Sequence, residues 1–230
     1  LMRSLWKGAI SFGLVTIPVK LYAATESKEI KFNYLHKECK TPIKYQKVCP
    51  RCNKEVAAED IVKGYEYEKG KYVILEEEDF EKLPLDTIKA VQILDFVDLK
   101  EIDPVYYIKS YFLAPGDFGV KAYKLLYQAL LDTGKIAIAK VFLRTKENLA
   151  VLRIYQNCLM LETIFYPDEV RSPETVPELN IENVQIHENE LKMAKSLIEN
   201  LTATFDSSKY TSDYRKTLYE MIEPITRRLR

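Results

Sequence analysis

Glycine is scarce in this chain, seven residues in 230, and histidine is scarcer still, with two. So little glycine argues against a low-complexity or disordered polymer. With hydrophobic residues at 47% and charged residues at 30%, the chain is expected to fold around a sizeable core. An excess of either charge is missing too, since 34 basic residues stand against 34 acidic ones. The total therefore points to no nucleic acid, membrane or acidic substrate. Only the distribution can do so, because at physiological salt a ligand senses charges within about 8 Å far more than the sum. No apolar run reaches the roughly 18 residues that span a bilayer. The opening "MRSLWKGAISFGLVTIPVKLYAAT" imitates a secretory signal, but Gly13, Pro18 and Lys20 break its apolar stretch, so a cytoplasmic protein is expected. Also missing are a G-x-x-x-x-G-K-[ST] phosphate loop, a G-x-S-x-G elbow and paired histidines on a helix, so nothing points to catalysis. No internal repeat is visible.

What is present reads mostly as strand. Residues 5–22 suggest one long or bent strand, with turn-forming Gly8, Gly13 and Pro18 among them. "KYVIL" at 71–75 is a short strand, and "EEEDFEKLP" an acidic helical turn closed by Pro84. "TIKAVQILDFVDL" at 87–99 and "PVYYIKSYFLAP" at 104–115 are β-branched and aromatic runs, hence two more strands. Between Asp117 and Gly134 the spacing changes to threes and fours (Phe118, Lys121, Ala122, Leu125, Leu126, Ala129, Leu130). That predicts a helix with Asp117 as N-cap and Gly134 just past its end. Three strands follow as a meander, with turns at Lys146–Asn148 and near Gln156–Asn157. Residues 166–190, rich in proline and glutamate, mark a linker, and two amphipathic helices follow it. The helical pattern is still running at Arg230, which suggests that the natural protein continues. The expected architecture is a mainly antiparallel β domain with one or two inserted helices, followed by a helical arm.

Soft ligands are concentrated in "LHKECKTPIKYQKVCPRCNKEV", residues 35–56. His36, Cys39, Cys49 and Cys52 spell H-x2-C-x9-C-x2-C, two knuckles with the spacing of tetrahedral zinc sites. Four protein ligands would fill the shell and leave no position for water or substrate, so the expected role of zinc is a structural staple. It would contribute on the order of 10 kcal/mol to ordering a segment with few apolar residues. A Cys49–Cys52 redox pair is an alternative, but it leaves His36 and Cys39 without a reason and lacks a βαβ context. A chance cluster of free thiols is another. The zinc deaminases carry H-x-E and P-C-x-x-C, which His36-x-Glu38 and Cys49-x-x-Cys52 partly match. Here Val48 replaces the proline, and Cys39 would occupy the catalytic water's position. Cys158, in an apolar run, reads as a small buried hydrophobe, and His187 as a solvated side chain.

The same segment holds the densest positive charge in the chain: Lys37, Lys40, Lys44, Lys47, Arg51 and Lys54 against Glu38 alone, with Tyr45 among them and Lys63 beyond. Such a surface suits a phosphate backbone without sequence preference, because lysine acts as a point charge whereas base reading wants bidentate Arg, Asn or Gln. The plainer reading is a solvated loop whose lysines maintain solubility. A protein-interaction module with a structural zinc knuckle is the alternative to nucleic-acid binding.

Several long stretches together resemble a known family. They are "SLWKGAISFGLVTIPVKLY" at 4–22, the knuckles "LHKEC" and "CPRC", "GYEYEKGKYVILEEEDFEKL" at 64–83, "YYIKSYFLAP" at 106–115 and "KAYKLLYQALLDTGKIAIAKVFLRTKENLAVLR" at 121–153. In this order they resemble the bacterial Ku proteins over roughly residues 3–171. The resemblance implies a Ku-type β-barrel core with an extended bridge, here residues 1–171 with the zinc-stapled bridge at about 36–70. Residues 172–230 would form a linker and C-terminal helical arm. It also implies a homodimeric ring threaded onto double-stranded DNA ends in nonhomologous end joining. Such a ring protects the ends and recruits an ATP-dependent DNA ligase, without catalysis of its own, in the cytoplasm at the nucleoid. On that reading the knuckle cations and Lys63 contact DNA. A second set, Lys140, Arg144, Lys146 and Arg153, would face the same channel, with Arg144 and Lys146 as direct contacts. Leu197, Leu201, Leu218 and Ile222 would pack the dimer. Many family members carry a lysine-rich C-terminal tail, and this sequence stops before one begins, so DNA binding that depends on the tail is expected to be missing. The von Willebrand-like domain of eukaryotic relatives is absent as well.

Overall fold

Apolar residues at alternate positions along seven strands give the chain one closed sheet. The computed structural model describes residues 2–82, 89–144, 146–179 and 181–228. In chain order the elements are β1 (Trp6–Phe12), β2 (Val15–Ala23), β3 (Val48–Cys49), β4 (Lys54–Glu55), β5 (Lys63–Glu68), β6 (Lys71–Leu75) and α1 (Glu77–Glu81). They continue with β7 (Ala90–Val97), β8 (Tyr107–Pro115), α2 (Val120–Thr133), β9 (Ile136–Leu143), β10 (Lys146–Tyr155), β11 (Cys158–Ile164), α3 (Glu188–Leu201) and α4 (Asp213–Arg228). Strands β1-β2-β8-β11-β10-β9-β7 form a closed barrel. All pairs are antiparallel except β1 with β7, whose parallel ladder Ala9↔Ala90, Ile10↔Val91 and Ser11↔Gln92 seals it. Closure removes the sheet edges that would otherwise invite association.

The barrel interior is packed by Ile10, Ile17, Val19, Leu21, Val91, Leu113, Ala139, Val141, Leu152, Leu159 and Leu161. One end is closed by α2, which buries Tyr123, Leu126 and Leu130 in the same cluster. The Tyr123 hydroxyl donates to the Leu113 carbonyl at 2.6 Å and accepts from the Leu159 amide at 2.7 Å, so a buried polar tip is satisfied in both directions. The outer wall carries a second cluster, in which Ile136, Val151 and Ile164 are covered by Ile102, Tyr106 and Tyr107. Strand β11 is therefore buried on both faces, which explains its continuous apolar sequence.

Four local expectations differ from the structure. Ala9 to Tyr22 is a hairpin, because Gly13 adopts φ +55° in a two-residue link between the paired residues Phe12 and Val15. Gly8 lies within β1 and makes no turn: a Cβ there would meet the Lys89 carbonyl oxygen at 2.4 Å, so only hydrogen fits at the seam with β7. The N-cap of α2 is Gly119, and Asp117 instead pairs with Lys20 at 3.1 Å. Lys146–Asn148 already belong to β10, so the β9–β10 turn falls earlier, at Arg144 with φ 60°. Gly134 ends α2 in the left-handed conformation, and the turn near Gln156 lies where the sequence put it. Pro84, Thr87, Ile88 and residues 229–230 lie outside the described residues.

The chain divides into two units, residues 1–26 with 33–170, and residues 27–32 with 171–230. In the first, the segment between β2 and β7 carries two small hairpins, β3–β4 and β5–β6. From Asn33 to Lys82 no described side chain is buried, and only Cys49, Val56 and Leu75 are half-buried. The second unit holds a run of 3-10 turns, α3 and α4. Within it Ile30 and Phe32 line a groove with Tyr214 and Leu218 of α4. His187 is exposed and caps α3, its amide donating to the Glu190 carboxylate at 3.1 Å. Cys158 is half-buried, and burial pushes its thiol pKa up.

Candidate nucleic-acid interface

The two knuckles are the same turn built twice. In the first, the Lys40 amide donates to the His36 carbonyl at 2.9 Å and Lys40 adopts φ 56°. In the second, the Asn53 amide donates to the Cys49 carbonyl at 2.8 Å and Asn53 adopts φ 51°. Each left-handed residue ends a tight loop that turns two ligand-type side chains toward one another. His36 Nδ1 lies 3.2 Å from Cys39 Sγ. Backbone hydrogen bonds from Cys52 and Arg51 lower the Cys49 thiol pKa, whereas the Cys49 side chain raises that of Cys52. Thr41, through its hydroxyl and then its amide, lowers the pKa of Cys39. Among the described residues no three His, Cys, Asp or Glu side chains converge as a group able to hold a metal. The sequence-derived ligands are thus gathered as two pairs, His36 with Cys39 and Cys49 with Cys52. In kind and number they fit a closed tetrahedral zinc site.

The bridge cations lie around these turns. Lys37, Lys40, Lys44, Lys47, Arg51 and Lys54 are all exposed, and the only acidic residue between Asn33 and Lys54 is Glu38. The Lys40 ammonium donates to the Lys37 carbonyl, and the Val56 amide donates to the Lys47 carbonyl at 2.8 Å, which ties the second knuckle to its base. Lys63, on β5, holds its ammonium 4.5 Å from the centre of the Phe80 ring. It is positioned by a cation–π contact and still faces solvent.

The second basic set divides. Lys140 pairs with Glu147 at 3.1 Å, and Arg153 is engaged by Glu162 on the outer barrel wall, where Glu162 is buried. Hydrogen bonding to Glu162 raises the Arg153 pKa. These two cations serve the barrel. Beside that pair the Tyr107 hydroxyl is buried and finds no hydrogen-bond partner among the described residues, and burial raises its pKa. Arg144 and Lys146, in contrast, are exposed at the end of the barrel opposite α2, where they line a cleft of about 360 Å³ together with Lys109. Lys109 was not among the residues the sequence singled out. Within "YYIKSYF" it reads as an ordinary strand lysine, and only barrel closure sets it beside Arg144 and Lys146.

A closed barrel with a basic bridge is the class of protein that the fold and site define. Residues 11–193 match the family model for the Ku70/Ku80 beta-barrel domain. The chain is 53% identical over 222 residues to the non-homologous end joining protein Ku of Bacillus subtilis (strain 168), covering 96% of this chain and 71% of the relative. It is 53% identical over 223 residues to the protein of that name from Desulfitobacterium hafniense, covering 96% and 77%. To its counterpart in Archaeoglobus fulgidus it is 45% identical over 222 residues, covering 96% and 87%. The chain belongs to the Ku family. Among the described residues no helix is long and apolar enough to cross a membrane.

Proposed function

We propose that this protein binds the ends of double-stranded DNA without sequence preference, as a homodimeric ring threaded from the end, in nonhomologous end joining. In that role it protects the ends and recruits an ATP-dependent DNA ligase, and it performs no catalysis. The observation that carries the reading is the bridge. From Asn33 to Lys82 the chain presents cations and none of the described side chains is buried, so this segment is organised for a partner rather than for a core of its own. Lysine-dominated contacts position a protein on phosphates and carry no sequence information, which is what sliding over any duplex requires.

A further feature supports a second copy. Helix α3 shows solvent an apolar face, with Leu197 60% and Leu201 83% exposed. The half-buried Leu218 and Ile222 lie on α4. Zinc held by His36, Cys39, Cys49 and Cys52 would draw the two preformed pairs together and stiffen the bridge, with no role in chemistry.

The test compares binding of the purified dimer to a linear duplex and to a covalently closed circle of the same sequence. A threading ring binds the linear form and leaves the circle free. Equal affinity for both would refute threading.

A further inference from the structure

The barrel end opposite α2 is a cleft whose lining, among the described residues, includes three cations and no carboxylate. Its construction follows from the register. Lys109 pairs with Thr163, which pairs with Ala150, which pairs with Ala139. Both alanines belong to the interior core, so Lys109 projects from the interior-facing row at the rim. Tyr111 follows on the same row, opposite Leu161, and the Lys109 ammonium stands 5.7 Å from its ring centre. Across the rim, Lys146 pairs with Leu143 and Arg144 opens the link between them with φ 60°. A non-glycine residue in that conformation is strained and persists only where its surroundings hold it there.

The polar neighbours fix the frame. The Thr163 hydroxyl donates to the Lys109 carbonyl at 3.3 Å, and the Asn148 side-chain amide donates to the Lys146 carbonyl at 2.9 Å. Each spends a donor on the backbone from which the cations spring, and the three cationic heads supply the positive charge offered to a ligand.

We propose that this cleft, formed by Lys109, Arg144 and Lys146, binds a phosphate monoester dianion, with the terminal phosphate of a DNA end as its source. Two physical points select the monoester. Three cations without a carboxylate match a group carrying nearly two negative charges at neutral pH better than a singly charged diester. A recess walled by strand ends also admits a group that projects from a chain end, whereas an internal diester runs along a convex backbone. The proposal rests on the DNA-end reading and adds to it a group that recognises the end itself.

The test uses the full chain and two probes. The first is a short duplex with either 5′-phosphate or 5′-hydroxyl ends, bound by the wild type, Lys109→Ala and Arg144→Gln. Wild-type protein is expected to prefer the phosphorylated ends by about tenfold, and each variant to bring that ratio close to one with an unchanged melting temperature. The second probe is inorganic phosphate, titrated by ³¹P line width against the wild type and the double variant. Binding of inorganic phosphate that the double variant loses, without discrimination between duplex ends, would keep the monoester site but assign it to a free phosphate. No end preference together with no phosphate binding would overturn the proposal. So would a preference that survives both substitutions. A protein that binds phosphate at the cleft but neither duplex would overturn the DNA-end reading and leave the cleft standing.

Discussion

Ile10, Leu152 and Leu161 expose none of their surface, whereas between Asn33 and Lys82 not one described side chain is buried. Both regions are built from β-strands and tight turns, so the kind of secondary structure does not separate them. What separates them is where the stabilising free energy comes from. The barrel closes its sheet on itself and packs its interior, so its stability is internal. The bridge consists of two-stranded hairpins, which are marginal alone in water. It needs a crosslink or a partner. The same contrast governs charge. On the barrel, Arg153 and Lys140 are tied to Glu162 and Glu147, while the knuckle cations are exposed to solvent.

The contrast is tested first by its largest expected effect. Leu161→Ala removes a fully buried side chain and should cost about 4 kcal/mol in chemical denaturation, whereas Tyr65→Ala on β5 should stay within about 0.5 kcal/mol. Similar costs would mean that the bridge has a core of its own. Next comes the pair on the outer wall. Glu162→Gln leaves the Arg153 charge poorly compensated and should cost about 3 kcal/mol, and replacing both residues by methionine should recover most of that loss. A double variant no better than the single one would show that the ion pair itself stabilises the wall.

Smaller at the barrel, but decisive for the bridge, is Cys49→Ser with Cys52→Ser. Zinc content measured by elemental analysis should fall from one ion per chain, and proteolysis between Lys31 and Lys71 should accelerate. The barrel's stability should move by less than about 1 kcal/mol. Unchanged metal content would remove the staple from the account. Least visible in stability, within about 0.5 kcal/mol, is neutralising Lys44, Lys47 and Lys54 with glutamine. There the salt dependence of duplex binding should flatten by about 0.9 in slope for each phosphate no longer neutralised. An unaltered slope would mean that these lysines only solvate the loop.

Much of the fold was legible because its signals are local. Helix α2 announced itself by three- and four-residue spacing, and β9, β10 and β11 by apolar runs separated at turn residues. The first hairpin was hidden because Leu14 continues the apolar run straight through its turn, leaving only Gly13 to mark it. The parallel closure of β1 on β7 was invisible, since register between strands some eighty residues apart leaves no local trace. The same limit applied at the functional surface. His36, Cys39, Cys49 and Cys52 stood out because ligand pairs need fixed spacing. Lys109 did not, because its neighbours Arg144 and Lys146 are brought to it by barrel closure alone. Lys140 and Arg153 were read as facing the same channel because a sequence shows a cation without showing its carboxylate.

The most direct test of threading is topological. Protein is loaded on a linear duplex, the duplex is then ligated into a circle, and the complex is challenged with salt high enough to dissolve phosphate contacts. A threaded ring stays on the circle and leaves only after the DNA is cut again. Release from the intact circle at the same salt that strips the linear form would contradict threading.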